Sequence, residues 1–320
     1  MITQLLPVAL VLGLMAGAVV AVVRLNRTRG ARNEVEAILR QLIDGAFKPR
    51  GDSILGTNVD LIAVHTSPKL IPVLRHMVAL QEGGRDREAI EETVLAYDDV
   101  LPGQAKALLY AHAGNGLGRL GLFDEAKRHY VKAVASARES QYPSAEGAAL
   151  ISLSMLADRR EDASPDDARQ YGEDALEVYQ SMSDEPRTAQ TLSYLAGLAQ
   201  AHGEVDLADA RHREALEIYT RRSDKLGRAH SLTGMANACL RRGELDQARD
   251  DLEEALKIHR RGGSRSGEAA NLGDLGQVHE QLGQLELASK YYRDARARFQ
   301  EVGDERGVKW MEERLSGIGT

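Results

Sequence analysis

Cysteine and aromatic residues are scarce in this 320-residue sequence. Its one cysteine, Cys239, excludes an intramolecular disulfide, a cysteine-based metal knuckle and, since no cysteine lies near residue 20, an N-terminal lipoprotein anchor. Aromatic residues make up only 4% of the chain, so the hydrophobic core has to be built from Ala, Leu and Val. The 41 basic residues are outnumbered by 48 acidic ones, which argues against a general nucleic-acid binder because such a protein needs a basic face.

Charged residues are absent from the first 23 positions. The apolar run of residues 5–23 would span about 28 Å as a helix, close to the hydrocarbon thickness of a bilayer. A cleaved signal peptide has basic residues before its apolar region, and no basic residue precedes this run. The pattern predicts an uncleaved transmembrane anchor, with a cleaved, exported protein as the alternative. Four arginines follow it at the expected membrane boundary: Arg24, Arg27, Arg29 and Arg32.

The positive-inside rule places those arginines, and everything after them, in the cytoplasm. We therefore expect a single-pass membrane protein with its N-terminus outside. Without residues 1–32 the rest of the chain is distinctly acidic, so the basic cluster is a local feature of this boundary. Such clusters serve as topology signals and lipid headgroup contacts.

An internal repeat dominates the rest of the chain. Gly203, Gly243 and Gly283 stand 40 residues apart, and pairs of alanines seven residues apart follow each of them. A fixed period of this length is the signature of a repeat architecture. The alanine pair recurs five times, at Ala126/Ala133, Ala168/Ala175, Ala208/Ala215, Ala248/Ala255 and Ala288/Ala295.

Each repeat unit reads as two helices. In one unit, Arg241 and Arg242 come at the end of the first helix, where positive charge suits the exposed carbonyls, and Gly243 supplies the left-handed turn. Small alanine side chains let two helices approach closely, and no unit has enough apolar area to be stable alone. The first helix of this unit carries an apolar stripe at three- and four-residue spacing, formed by Ala229, Leu232, Met235, Ala236 and Cys239.

These units resemble the tetratricopeptide repeat family over about residues 70–301. The last full unit has Leu272, Leu275-Gly276, Gly283, Ala288 and Ala295 in the places of the family pattern. The closing proline is replaced by Thr220, Arg260 or Gln300, so the second helix can run on, which fits the 40-residue period. The resemblance implies an all-α fold, a right-handed superhelix of about six helix pairs with a C-terminal capping helix.

Four domains are predicted from these patterns. Residues 1–32 form the transmembrane anchor with its basic boundary, and residues 33–69 form a membrane-proximal helix followed by an irregular segment. Residues 70–301 form the repeat array. Residues 302–320 form the capping helix, which contains Trp310, the one tryptophan of the chain.

No motif points to catalysis, to a metal or to a cofactor. The run from Gly116 to Gly121 matches a G-x-G-x-x-G dinucleotide fingerprint, but a helix-forming segment precedes it where that fingerprint needs a strand. The nine histidines are scattered without zinc-ligand spacing. The repeats occupy most of the chain and leave no second domain for an active site. We therefore expect a protein that is not an enzyme and that needs no cofactor.

The family resemblance implies that the first helices of successive units line a concave groove that binds extended peptides or partner helices. Opposite the apolar stripe, His230, Thr233, Asn237 and Arg241 share one helix face, where packing should not need them. Amide side chains both donate and accept hydrogen bonds, which suits recognition of an extended backbone. The expected partner-binding residues are Asn115, Arg119, Gln190, Gln200, His230, Asn237, Arg241, Gln277 and Gln281.

The predicted function is a membrane-anchored scaffold or adaptor that holds a protein or peptide partner at the cytoplasmic face of the membrane. One alternative is an assembly or envelope-biogenesis factor of a membrane complex, whose transmembrane helix contacts membrane partners. A second alternative is a sensor whose groove binds a signalling peptide. The lysine of the carboxylate-clamp subset of the family is missing, so recognition of an acidic C-terminal tail is not expected.

Overall fold

A computed structural model describes residues 86–99, 101–159 and 164–318 of the chain. Within these ranges the chain forms helices and no strand, as predicted for an all-α protein. It divides into two compact units, residues 1–164 and 165–320. The described part of the first unit contains α1 (Asp86–Tyr97), α2 (Gly103–Arg119), α3 (Phe123–Glu139) and α4 (Pro143–Asp158).

The second unit contains eight helices within its described residues. They alternate between first and second helices of successive pairs, and α12 is a first helix with no second helix after it in residues 164–318. Their bounds are α5 (Pro165–Ser181), α6 (Glu185–Ala201), α7 (Val205–Arg221), α8 (Lys225–Arg242), α9 (Leu245–Gly262), α10 (Arg265–Gln281), α11 (Leu285–Val302) and α12 (Glu305–Ile318).

The turns inside three helix pairs of the second unit depend on a left-handed glycine. Gly203, Gly243 and Gly283 adopt φ values of +77°, +77° and +73°, a conformation that costs glycine nothing and strains other residues. At Gly243 the backbone N–H groups of the turn bond to carbonyls of the last turn of α8. The prediction of a glycine turn after Arg242 is confirmed.

Aspartates cap the N-termini of three first helices, α6, α8 and α12. The side chain of Asp184 accepts a hydrogen bond from the backbone N–H of Arg187 at 3.2 Å, and Asp224 accepts one from Gly227 at 2.9 Å. Asp304 caps α12 through the N–H of Gly307 at 3.0 Å. These side chains satisfy backbone donors that the helix itself leaves unpaired.

Packing follows the alanine pattern of the sequence. In the second unit the first helices contact one another in order, α6 with α8 and α8 with α10, while each also packs on the second helix that comes after it. Glycine also lets two helices approach closely. A Cβ on Gly276 of α10 would lie 2.5 Å from the Tyr292 ring of α11, which is too close for a real contact. The repeated alanines of this unit are at most 1% exposed: Ala168, Ala175, Ala208, Ala215, Ala248, Ala255, Ala288 and Ala295.

The predicted localisation, a single-pass membrane protein with a cytoplasmic array, is corrected here. Among the described residues, no helix is both long enough and apolar enough to cross a bilayer. Each of these helices carries charged residues that are not buried, and a bilayer would strip water from those charges. The expected span of residues 5–23 and the basic boundary of residues 24–32 lie outside the described residues.

Candidate functional site

All nine predicted partner-binding residues lie on first helices, and none of them is buried. Asn115 and Arg119 belong to α2 of the first unit. The other seven belong to three neighbouring first helices of the second unit, α6, α8 and α10. We call their common surface the first-helix face. It is defined by Gln190, Gln200, His230, Asn237, Arg241, Gln277 and Gln281.

In the first unit, Asn115 has a partner within the fold. Its side-chain oxygen accepts a hydrogen bond from the Tyr130 hydroxyl at 2.7 Å. The Tyr130 ring in turn fills the space beside Gly114, where a Cβ would lie 2.6 Å from it. Asn115 therefore helps to pair α2 with α3, a role that the sequence pattern did not indicate. Arg119, one turn further on, is exposed.

The polar side of α8 was expected to take no part in packing, but Thr233 on that side does. Its hydroxyl donates to the carbonyl oxygen of Ala229 at 2.9 Å and accepts from the side-chain amide of Asn271 at 3.1 Å. Asn271 is fully buried and also donates to the carbonyl oxygen of Leu252 at 3.4 Å. This amide thus ties α10 to both α8 and α9, because a buried polar group is costly unless it is bonded.

Asp274 is the residue of this face that the sequence interpretation missed. It lies on α10, three residues before Gln277, and is half-buried. Burial raises the pKa of Asp274 to about 7, and the side-chain amide of Asn237 on α8 opposes that shift only in part. The signal was available, since Asp274, Gln277 and Gln281 follow the same three- and four-residue spacing.

A second carboxylate, Glu280, lies on the same helix in a different setting. It accepts a hydrogen bond from the Tyr292 hydroxyl at 2.5 Å, and its Oε2 atom lies 3.6 Å from a guanidinium nitrogen of Arg314 on α12. Burial, followed by the bond to Glu280, raises the pKa of Tyr292 above its usual value. The charge of Glu280 is therefore compensated within the fold.

His230 contacts a buried histidine. Its ring centroid lies 6.0 Å from that of His212 on α7, in an edge-to-face arrangement. His212 is 2% exposed and packs against Gly234, where a Cβ would lie 2.1 Å from its Nε2 atom. Burial lowers the pKa of His212 to about 4, so its ring is neutral at physiological pH.

The first-helix face presents mainly polar side chains. Within residues 86–99, 101–159 and 164–318, no group of three or more His, Cys, Asp or Glu side chains is placed to hold a metal ion. Cys239 is buried, and burial raises the pKa of its thiol, which keeps it protonated and unreactive. What the face offers is amides, one imidazole and two opposite charges, Arg241 and Asp274.

Paired antiparallel helices with regular spacing of glycine turns and alanine contacts define an α-helical repeat protein. Residues 187–261 and 227–301 each match the family model of the tetratricopeptide repeat. Residues 187–301 therefore carry tetratricopeptide repeats, as the resemblance implied. A sequence search of curated proteins gives no match.

Solved structures share the fold at low sequence identity. RapI in its apo form has a TM-score of 0.69 at 15% identity, covering 90% of this chain and 80% of RapI. Aspartyl phosphate phosphatase F from Bacillus subtilis has a TM-score of 0.64 at 13% identity, over 88% and 73% of the two chains. A Rap protein complexed with Competence and Sporulation Factor has a TM-score of 0.52 at 11% identity, over 95% and 97%.

Proposed function

We propose that this protein is a scaffold or adaptor that binds a protein partner through an extended peptide segment laid along the first-helix face. The observation that carries the proposal is a row of exposed and half-buried polar side chains on three neighbouring first helices, α6, α8 and α10. Apart from His230, whose ring contacts that of the buried His212, the alanine core of residues 164–318 does not use them. Amides spaced along neighbouring helices can pair with the N–H and C=O groups of an extended chain.

A peptide sensor is the second candidate. It is favoured by the likeness to a Rap protein whose structure contains Competence and Sporulation Factor. A sensor and a scaffold would use the same face and differ in the effect that binding has on the protein. Comparison of small-angle scattering with and without a bound peptide separates them, because a sensor changes its dimensions on binding and a scaffold does not.

Affinity selection of a phage-displayed library of random 12-residue peptides on the full chain tests the binding face. Selected peptides are then measured against the double variant Asn237→Ala/Arg241→Ala. Loss of a hydrogen bond to a charged group costs about 1.5–3 kcal/mol, so we expect binding to weaken about tenfold or more.

The matched control is Glu217→Ala/Lys257→Ala, which removes two exposed charges from the second helices α7 and α9. Peptides that bind the control and the native chain equally, but not the Asn237/Arg241 variant, support the proposal. Equal binding to all three proteins would place the interface elsewhere and contradict it.

A further inference from the structure

The first turn of α10 lacks a hydrogen bond that the other first helices of the second unit have. At the starts of α6, α8 and α12, an aspartate side chain accepts from the backbone N–H three residues later. Ser264 stands at the matching place before α10 and makes no such bond with its side chain. The repeat-related donor is the N–H of Gly267, and within residues 164–318 no atom accepts a hydrogen bond from it. What α10 lacks is one carboxylate.

Basic side chains surround this turn. The charged residues from the end of α9 to the first turn of α10 are Arg260, Arg261, Arg265 and Glu268. Glu268 already has a counter-ion, since it accepts from Arg260 at 2.9 Å. Arg261 is exposed and makes no ion pair in the described part of the chain. The side chain of Arg265 is 66% exposed and lies no closer than 3.7 Å to Glu301. Two arginines can therefore pair with a charge from outside.

The ring of His259 lies against the same turn. His259 is 9% exposed, and its Nδ1 atom has no hydrogen-bond partner among the described residues. That atom would lie 2.4 Å from a Cβ on Gly267. Since two covalent bonds separate a Cβ from its own backbone nitrogen, the Nδ1 atom and the nitrogen of Gly267 lie within about 5 Å of each other. One oxygen at about 2.9 Å from each can bridge them. A buried nitrogen without a partner is costly, which favours a ligand here.

The turn before α10 leaves room for such a ligand. Gly262 and Gly263 are exposed, and a Cβ on Gly263 would meet no atom within 4 Å. Ser264 is half-buried and Ser266 is exposed, so two hydroxyl groups stand beside the free N–H groups. The start of a helix attracts anions, because its unpaired N–H groups carry partial positive charge.

We infer that the start of α10 is a binding site for a phosphate group, which takes the place of the carboxylate that caps the other first helices. The phosphate accepts from the N–H of Gly267 and from Nδ1 of His259, in the tautomer that carries its hydrogen there. Its remaining oxygens pair with Arg261 and Arg265, for which a carboxylate has too few oxygens. The site lies about 15 Å along α10 from Gln277, so the inference does not depend on the peptide binding proposed above.

Inorganic phosphate is the probe, and the full chain is titrated at constant ionic strength with chloride as the reference anion. We expect saturable binding by calorimetry and a rise in melting temperature that chloride does not cause. Ser264→Asp supplies the carboxylate that α10 lacks. Without phosphate this variant should melt at a higher temperature than the native chain, and its affinity for phosphate should be at least tenfold lower.

His259→Phe tests the ring nitrogen separately. Phenylalanine fits there, since Phe299 packs against Gly307 at the repeat-related place. The variant should stay folded and should bind phosphate about tenfold more weakly, because one hydrogen bond to a charged group is lost. Lys309→Ala is the matched control. It removes an exposed cation from α12 and should leave phosphate binding unchanged.

A second probe, N-acetyl-phosphoserine amide, identifies the source of the phosphate. Tighter binding of this compound than of inorganic phosphate indicates a phosphorylated side chain as the ligand, and the reverse indicates a free phosphate. The inference is overturned if neither probe binds, or if Ser264→Asp binds them as well as the native chain does. A Ser264→Asp chain that melts no higher than the native chain would also contradict it, because the N–H of Gly267 would then not be free. None of these results bears on the first-helix face.

Discussion

The two sides of the first helices in the second unit differ in how closely their residues repeat from one helix pair to the next. On the packed side, Ala229 of α8 is fully buried, and so are the repeat-related Ala189 of α6 and Ala269 of α10. On the first-helix face, positions that are 40 residues apart hold a different residue in each helix pair. One such set is Gln190, His230 and Ala270, and another is Gly197, Asn237 and Gln277. The packed side repeats because each pair must stack on the next. The other side varies because stacking places no demand on it.

The largest effect should come from the packed side. Ala248 is fully buried in a cluster with Leu252, Leu275 and Tyr292. Ala248→Arg overfills that space and buries an unpaired charge, so we expect a loss of more than about 4 kcal/mol and unfolding that spreads to neighbouring pairs. Thermal melts followed by circular dichroism measure it. Glu253→Arg, on the exposed side of the same helix, is the control, and an equally stable Ala248→Arg would refute the stacking argument.

His212 is a titratable residue on the packed side, and it should make the stability of the unit depend on pH. Its folded pKa is about 4, below the ordinary 6.5, so between these values only the unfolded state takes up the proton. Stability therefore falls as the pH drops from 6.5 to 4, by up to about 3 kcal/mol.

His212→Leu should reduce that loss, since Leu252 fills the repeat-related position. Denaturant unfolding at pH 7 and pH 4.5 compares the variants, with exposed His202→Gln as the control. An unchanged pH dependence in His212→Leu would show that other groups cause it.

The helix ends between the two sides allow a smaller test. Asp224→Ala removes the bond from its carboxylate to the N–H of Gly227 and should cost about 1 kcal/mol. Ser264 occupies the same place before α10 and makes no side-chain capping bond, so Ser264→Ala should cost much less. Chemical denaturation of the two variants measures the difference. Equal costs would mean that the cap bond does not stabilise α8.

The smallest effect is expected on the first-helix face. Gln190 and Gln281 are exposed, and the double variant Gln190→Ala/Gln281→Ala should change stability by less than about 0.5 kcal/mol per site. A melting curve and the binding of a library-selected peptide are measured together. A loss of stability of several kcal/mol would show that this face takes part in packing and would remove the contrast between the two sides.

Helix pairing was predictable because it depends on local and periodic signals. One helix pair contains all of these signals: the turn at Gly243, the arginines before it, and the apolar stripe through Ala229 and Cys239. The structure has each of them as expected. The predicted single-pass localisation is wrong, since no described helix is both long enough and apolar enough to cross a bilayer. That prediction rested on a single apolar run, whereas the helix pairs were predicted from a pattern that recurs along the chain.

The polar contacts of the candidate site were less predictable. Thr233 looked free by its spacing, yet it bonds to Asn271, 38 residues further along the chain. Nothing in the helix periodicity of α8 distinguishes Thr233 from Asn237, because both lie opposite the apolar stripe. The difference comes from the residues that α10 presents to each of them.

The sequence by itself determined the helix pairs, their turns and the alanine core of residues 165–318, since these depend on a repeated pattern of size and polarity. Only the tertiary structure decided which polar groups meet. The contacts of Asn271 with Thr233, and of Glu280 with Arg314, join different helices. Their distances depend on the register in which one helix packs on the next, and a shift of one residue would separate them.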